Sequence, residues 1–279
     1  FNIELIKDIR NIGFDVITRY MFGKNIAKLN IIKKIYTWSE FQVIERSFNF
    51  GVRTHNKNVR LYGCQFFLNY DVYFNSYVED IDFLHKTAFH EVLVNGKYYL
   101  KDKKLIKYKT GIGLRYSNVF LFSDKVVFKD IILLGSYMES DTRYMLDCVS
   151  SFDKVLFKSH PVIDNCKFKN LNKNIISTDD NIYELFKTAA IVISTASGSA
   201  VEAVTCGIPV IIVASQNNLT ANPMDDYGKG KVWDIAFSKD DVMRLYNSLI
   251  NFRRENIDEV MKIASWYKDN FFVEPTEKN

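Results

Sequence analysis

Apolar residues in the second half of the chain come in short, nearly continuous runs, and the segments between them carry a helical period. KVLFKSHPV (154–162) reads as a strand ending at His160-Pro161, and KNIISTDD (173–180) holds a short second strand. NIYELFKTA (181–189) places Ile182, Leu185 and Phe186 on one side of a helix, with Asp179 or Asp180 available to cap it. Strand AIVIS (190–194), loop TASGS (195–199), helix AVEAVTCG (200–207) and strand PVIIVAS (209–215) follow. A long polar loop runs through Gly230, and residues 240–272 read as two terminal helices whose last part could cross back onto the first domain. Before them, GSYMESDTRYMLDCVSSF (135–152) has helical character behind FKDIILLGS (128–136), a strand closed by a glycine turn. Apolar strands alternating with helices of about ten residues predict a parallel, doubly wound sheet covered on both faces.

The first half is less regular. LIKDIRNIGFDVITRYMF (5–22) has a helical pattern, and EFQVIERSFNFGVR (40–53) predicts a helix leading into strand-like RLYGCQFF (60–67). YKTGIGLRYSNVFLF (108–122) combines a glycine turn, Arg115 and a further apolar run. The expected division is an α/β domain over 1–127 and a Rossmann-like domain over 128–279, with the boundary near residues 125–130.

Composition narrows the class. With 279 residues, 47% of them hydrophobic and 25% charged, the chain can bury one large core or two medium ones. A net charge of +4 is too small and too scattered for a dedicated nucleic-acid binder, so no nucleic-acid partner is expected. KDKKLIKYK (101–109) is a local basic cluster that could meet an anionic membrane surface. Cys64, Cys148, Cys166 and Cys206 form no CxxC pair and have no histidine at metal spacing, which fits a reducing cytoplasm. No apolar run reaches transmembrane length.

Candidate chemistry concentrates after two strands. Ser197, Gly198 and Ser199 open a helix, where unpaired backbone N–H groups and the helix dipole favour an anion. Ser194 closes the preceding strand. Glu202, three residues past Ser199, could close a capping box or turn outward to a ribose diol. His160 follows the KVLFKS strand at the sheet edge where open α/β folds bind ligands, with Lys158 near it in sequence. Neither GxxxxGK[ST] nor a complete dinucleotide fingerprint occurs, so any phosphate site is of another kind. Asp225 and Asp226 pair in a polar loop that reads more readily as a solvated turn than as a metal site.

KSHPV, STDDNIYELFKTAAIVIST and SGSAVEAVTCGIPVIIV together resemble the nucleotide-sugar domain of GT-B glycosyltransferases, the bacterial surface-polysaccharide group above all. The likeness is strongest over residues 128–215. TWSEFQVIERSFNFGVR, RLYGCQFF and TGIGLRY resemble the first half of that group more faintly, with Phe66 where relatives often carry histidine.

The resemblance implies an α/β fold of two Rossmann-like domains with parallel sheets, the first of them abbreviated at most. It implies a metal-independent enzyme without a cofactor, moving a sugar from a nucleotide-activated donor, CMP-Kdo or a related CMP-ulosonic acid, to a capsule or lipopolysaccharide glycan or a lipid-linked acceptor. Such an enzyme would be cytoplasmic or peripheral to the inner membrane. Donor phosphate would sit over Ser197, Gly198 and Ser199 between the domains, with Ser194, Lys158 and Arg115 around the donor and Glu202 on the ribose. His160 would stabilise the leaving phosphate, and Glu40 would handle the acceptor proton. Two alternatives stand beside this: a CDP-glycerol-type glycerophosphotransferase and a noncatalytic nucleotide- or sugar-binding module.

Overall fold

The computed structural model describes residues 13–29, 31–68, 70, 77–111, 113–122, 127–168, 171–195 and 197–276. The helical pattern over 5–12 and the boundary near residue 125 lie outside those residues. The chain forms two compact units, one comprising Phe1–Asn69, Tyr73–Gly113 and Pro275–Asn279, the other Tyr70–Val72 and Leu114–Glu274.

The first unit carries a four-stranded parallel sheet in the order β1-β2-β3-β4, with β1 Lys34–Trp38, β2 Arg60–Cys64, β3 Glu91–Val94 and β4 Lys107–Thr110. Helix α1 (Phe14–Ala27) precedes β1, α2 (Val43–His55) links β1 to β2, and α3 (Asp80–Leu84) lies before β3. Strand order follows chain order, so right-handed crossovers place the connections on one face. That face is the buried one, with Leu61, Val92 and Val94 inward. The opposite face shows Lys34, Tyr36, Trp38 and Arg60 exposed, with Tyr36 stacked on Tyr62 at 4.6 Å.

Helices α1 and α2 cross at two glycines. A Cβ on Gly51 would lie 2.3 Å from the Tyr20 carbonyl oxygen, and one on Gly23 would lie 2.4 Å from that of Phe48. Any side chain there pushes backbone against backbone, so this crossing distance depends on glycine on both helices.

The second unit is a six-stranded, all-parallel sheet in the order β10-β9-β8-β5-β6-β7. Its strands are β5 Asp130–Leu134, β6 Val155–Lys158, β7 Ile175–Ser177, β8 Ala189–Ser194, β9 Val210–Val213 and β10 Trp233–Ala236. After α4 (Asn118–Leu121), its helices are α5 Glu139–Cys148, α6 Ile182–Phe186, α7 Gly198–Thr205, α8 Lys239–Glu255 and α9 Ile257–Phe271. Every residue of β5, β8 and β9 is buried, as a sheet covered on both faces requires. Ile131, Leu133, Phe157, Ile191, Ile193 and Ile211 meet Met145 of α5 and Leu245 of α8 in one continuous core. Each such side chain contributes roughly 1.5–3 kcal/mol by leaving water.

The chain builds β5, β6 and β7 outward, then returns to the other side of β5 for β8, β9 and β10. This is the doubly wound order, with its switch point between β5 and β8. The GT-B-type α/β architecture of two Rossmann-like units with parallel sheets is therefore present.

One local expectation is corrected. Asn181, not Asp179 or Asp180, caps α6, its side chain accepting from the Tyr183 N–H at 2.9 Å. A strand, WDIA, follows the polar loop. Terminal helix α9 packs on α7, and the Tyr267 hydroxyl donates to the carbonyls of Asp225 (2.6 Å) and Tyr227 (2.9 Å).

Candidate functional site

The carboxyl ends of β5, β6 and β8 gather most of the candidate residues. β8 ends at Ser194, which is fully buried and turns its hydroxyl onto the Thr195 carbonyl at 3.2 Å. Ser197 caps α7 by accepting from the Ser199 N–H at 3.3 Å. Ser197, Gly198 and Ser199 are all half-buried. The Gly198 N–H, at the first helical position, has no partner among the described residues, so α7 presents a free amide and its positive end outward. At the other end the helix stops in a Schellman turn. The Gly207 N–H donates to the Val204 carbonyl and the Ile208 N–H to that of Ala203, with Gly207 at φ +72°. That turn explains Gly207 in TCGIP and sends the chain straight into β9.

His160 stands two residues beyond β6, half-buried, edge-on to Tyr137. Gly135, just after β5, approaches so closely that a Cβ there would lie 3.1 Å from the His160 backbone nitrogen. The Val162 N–H donates to His160 Nδ1 at 3.3 Å, which places the proton on Nε2. Burial depresses the imidazole pKa, so the ring is neutral at physiological pH and offers one N–H donor. Lys158, the last residue of β6, sends its ammonium to the Asp179 carbonyl at 3.2 Å.

Glu202 departs from the capping-box expectation. Because Ser197 is the cap, Glu202 falls too far along α7 to reach back, and its carboxylate accepts from the Tyr183 hydroxyl of α6 instead. It is only 7% exposed, and burial pushes its carboxyl up to about 7, a rise opposed by the Tyr183 hydrogen bond and the charge of Arg115. Arg115 itself is exposed, on a 3-10 turn (Leu114–Tyr116). The structure thus brings Arg115, Tyr183 and Glu202 into one electrostatic group.

A carboxyl with its folded pKa above the unfolded value costs stability once it ionises in the fold. For Glu202 that cost is absent below pH 4.5, grows as pH rises toward 7, and is complete above, on the order of 3 kcal/mol. Glu202→Gln keeps an acceptor for Tyr183 and removes the ionisation. Thermal melts of the variant should therefore exceed wild type by several degrees at pH 8, with the difference largely gone near pH 5.

Sequence patterns did not single out Asp141, in the first turn of α5. It is 7% exposed and accepts from the Ser215 hydroxyl at 2.8 Å. With Ser136, Thr195 and Thr220 it lines a shallow depression over the ends of β5, β8 and β9. A buried acid among hydroxyls suits a ligand's hydroxyl groups better than its phosphate. The acid lies 74 residues from Ser215, so only the sheet order brings the two together. Asp225 accepts from the Tyr227 N–H at 2.9 Å, and Asp226 stands 3.9 Å from Lys229, which makes the pair a local turn. Among the described residues no group of three or more His, Cys, Asp or Glu could hold a metal ion.

Glu40 belongs to the first unit. Two residues after β1, it lines a cavity of about 420 Å³ with Arg19 and Phe22 of α1, Thr37, Trp38, and Gln42, Ile44, Glu45 and Phe48 at the start of α2. Glu45 is committed to the α2 capping box, accepting from the N–H groups of Gln42 (2.7 Å) and Glu40 (3.3 Å). Burial, and secondarily the Glu40 charge, raises the Glu45 carboxyl. No described residue donates to the Glu40 carboxylate, which leaves it available. In the basic cluster, Lys103 pairs with Glu79 at 2.5 Å and Lys109 with Glu91 at 2.7 Å. No helix among the described residues is long and apolar enough to cross a membrane.

No family model and no curated protein matches the chain. Solved structures do. UDP-GlcNAc 2-epimerase from Methanocaldococcus jannaschii, in complex with UDP-GlcNAc and UDP, is 13% identical with a TM-score of 0.55, over 90% of this chain and 80% of that one. UDP-GlcNAc 2-epimerase from Neisseria meningitidis, bound to UDP-GlcNAc, is 9% identical with a TM-score of 0.54, over 93% and 77%. MurG from Acinetobacter baumannii is 10% identical with a TM-score of 0.53, over 90% and 74%. At these identities the likeness is one of fold, and the fold it shows is the GT-B type.

Proposed function

We propose that the chain is a metal-independent, nucleotide-sugar-dependent glycosyltransferase whose second unit holds the donor. The observation that carries this is that the α7 N-terminus, whose Gly198 N–H has no partner among the described residues, and a tautomer-fixed His160 follow the carboxyl ends of β8 and β6, on either side of β5 at the switch point, where an open α/β sheet binds its ligand. The donor phosphate would lie against the Gly198 N–H and the hydroxyls of Ser197 and Ser199, with His160 Nε2–H donating to it. Glu202 would meet the ribose after exchanging its bond with Tyr183, Arg115 would offset donor charge, and Asp141 would read donor hydroxyls. Lys158 and Ser194 would support the loops.

In the chemical step the acceptor oxygen forms its bond to the anomeric carbon and passes its proton to Glu40. The bond from that carbon to the phosphate oxygen breaks, and its electron pair leaves with the nucleotide. Charge developing on the phosphate is met by donors already in place, which is where electrostatic catalysis gains most.

The sequence resemblance favours a CMP-linked ulosonic acid for capsule or lipopolysaccharide synthesis, in the cytoplasm or against the inner membrane. Two of the solved neighbours contain UDP-GlcNAc, which favours a UDP-sugar and gives a second reading, epimerisation of the donor itself. Incubation with CMP-Kdo, UDP-GlcNAc and CDP-glycerol, each with and without a mixed glycan and lipid acceptor fraction, separates these by mass spectrometry and NMR. Glycosylated acceptor supports transfer and its nucleotide names the donor. A C2 epimer formed without acceptor would replace the proposal, as would transfer of glycerophosphate from CDP-glycerol.

A further inference from the structure

Glu202 is held by a group that stands where a ligand would. Its side chain is buried against α6, and its Oε2 accepts a hydrogen bond from the Tyr183 hydroxyl. No described residue donates to Oε1, which is nevertheless not sealed from solvent. A carboxylate so deeply placed is costly unless donors meet its oxygens, and the empty protein meets one of the two.

Tyr183 is placed by its surroundings. Its N–H is fixed on the Asn181 side chain at 2.9 Å, and its ring meets that of Phe186 edge-on at 5.5 Å and that of Phe122 at 6.4 Å. The backbone is anchored, while the far end of the side chain rests on one polar contact. Rotation about the side-chain bonds takes the hydroxyl off Glu202 without moving α6. A ribose presents two adjacent hydroxyls, and a carboxylate that accepts from both uses both of its oxygens. Tyr183 already holds one of them, so diol and phenol compete for Oε2.

We propose that Tyr183 is an internal competitor of the ribose: it occupies Glu202 in the empty site, yields it to the nucleotide and reclaims it as the nucleotide leaves. This role rests on the donor-site reading above. A transferase has to release its nucleotide after every turnover, and a returning phenol shortens the nucleotide's stay.

Tyr183→Phe removes a hydrogen bond from the free protein and none from the complex, where the hydroxyl has already left. Ribonucleotide affinity therefore rises by the strength of that bond, roughly fivefold or more for a charged acceptor. A 2′,3′-dideoxynucleotide brings no diol, leaves Tyr183 in place and gains nothing.

Calorimetric titration of wild type and Tyr183→Phe with UDP, CMP and their 2′,3′-dideoxy counterparts tests this. At pH 9 the Glu202 carboxyl, pushed up to about 7 by burial, is ionised, while burial and the Glu202 charge keep the phenol protonated. The variant should bind at least one ribonucleotide about fivefold or more tightly than wild type does, with dideoxynucleotide binding unchanged. It should also melt below wild type when empty and match it in saturating ribonucleotide. Glu202→Ala should erase the difference between the two kinds of nucleotide. Weaker ribonucleotide binding in Tyr183→Phe would make the tyrosine a support for the carboxylate, and equal binding would make it a bystander; either overturns the proposal. So does an equal gain for the dideoxynucleotides, which would place the effect away from the ribose. In each of these cases nucleotide still binds and the donor-site reading stands. Binding of no nucleotide to either protein removes that reading and the role of Tyr183 with it.

Discussion

Replacing His160 by alanine is expected to lower sugar transfer by roughly 10² to 10³ while the second unit melts within about 2 °C of wild type. The asymmetry follows from what the side chain touches. Within the fold, His160 accepts one hydrogen bond from the Val162 N–H, bent back over its own turn, and meets the edge of Tyr137. None of these contacts joins the core that holds the sheet together. Its Nε2–H is the group left for a ligand, and burial holds the imidazole pKa below its usual value, so the ring is neutral at physiological pH. His160→Gln, which carries a side-chain N–H at similar reach, should recover part of the loss. Unchanged turnover in His160→Ala would remove the residue from the mechanism, and a collapse of the melting transition would make its role structural.

The second large effect belongs to Glu40. Glu40→Gln should reduce transfer by about 10² to 10⁴, the range of a lost general base. The first unit should become no less stable and, in fact, slightly more so. Glu40 and Glu45 are neighbouring carboxylates, and the Glu40 charge helps to raise the Glu45 carboxyl. Neutralising Glu40 relieves that repulsion without touching the capping box. Glu45→Ala should behave in the opposite way, giving up about 1 kcal/mol of helix capping while transfer is largely retained. Kinetics and denaturation of the two variants side by side separate the roles. Equal losses of activity in both would mean that Glu40 acts only through the α2 start.

Much of the second unit is legible in the sequence because its strands are buried on both faces. IILL, AAIVIS and VIIV are nearly continuous apolar runs, and the first two are each followed by a helix whose start is marked by small or polar residues. WDIA is harder to find: four residues after a polar loop, two of them half-buried, carry little period. In the first unit, KIYTW alternates exposed and half-buried positions on a partly open sheet face, so its apolar signal is diluted. EVLV and the five-residue α3 are too short to stand out.

Candidate residues divide in the same way. Ser197, Gly198, Ser199 and His160 were visible because a strand end and a helix start lie next to them in sequence. The Glu202–Tyr183 bond was not, since it depends on how α6 and α7 lean together. Nor was Asp141, whose meaning arises when β5 and β9 flank β8. Glu40 could be named from its Trp-x-Glu setting, but the apolar cavity around it comes from α1, whose packing on α2 depends on Gly23 and Gly51.

The central claim is that the amino end of α7 receives a nucleotide's phosphate, and Gly198→Pro addresses it directly. Proline at the first helical position removes the free N–H while suiting the helix, and Ser197, at φ −140° and ψ 132°, already has the extended backbone that a following proline requires. Calorimetric titration of wild type and variant with UDP, CMP and the matching nucleosides reads out the phosphate contribution alone. The account predicts that at least one nucleotide binds wild type at least tenfold more tightly than its nucleoside, and that Gly198→Pro erases that advantage while nucleoside binding stays the same. A nucleotide that binds no better than its nucleoside, or an advantage that survives the proline, would contradict it.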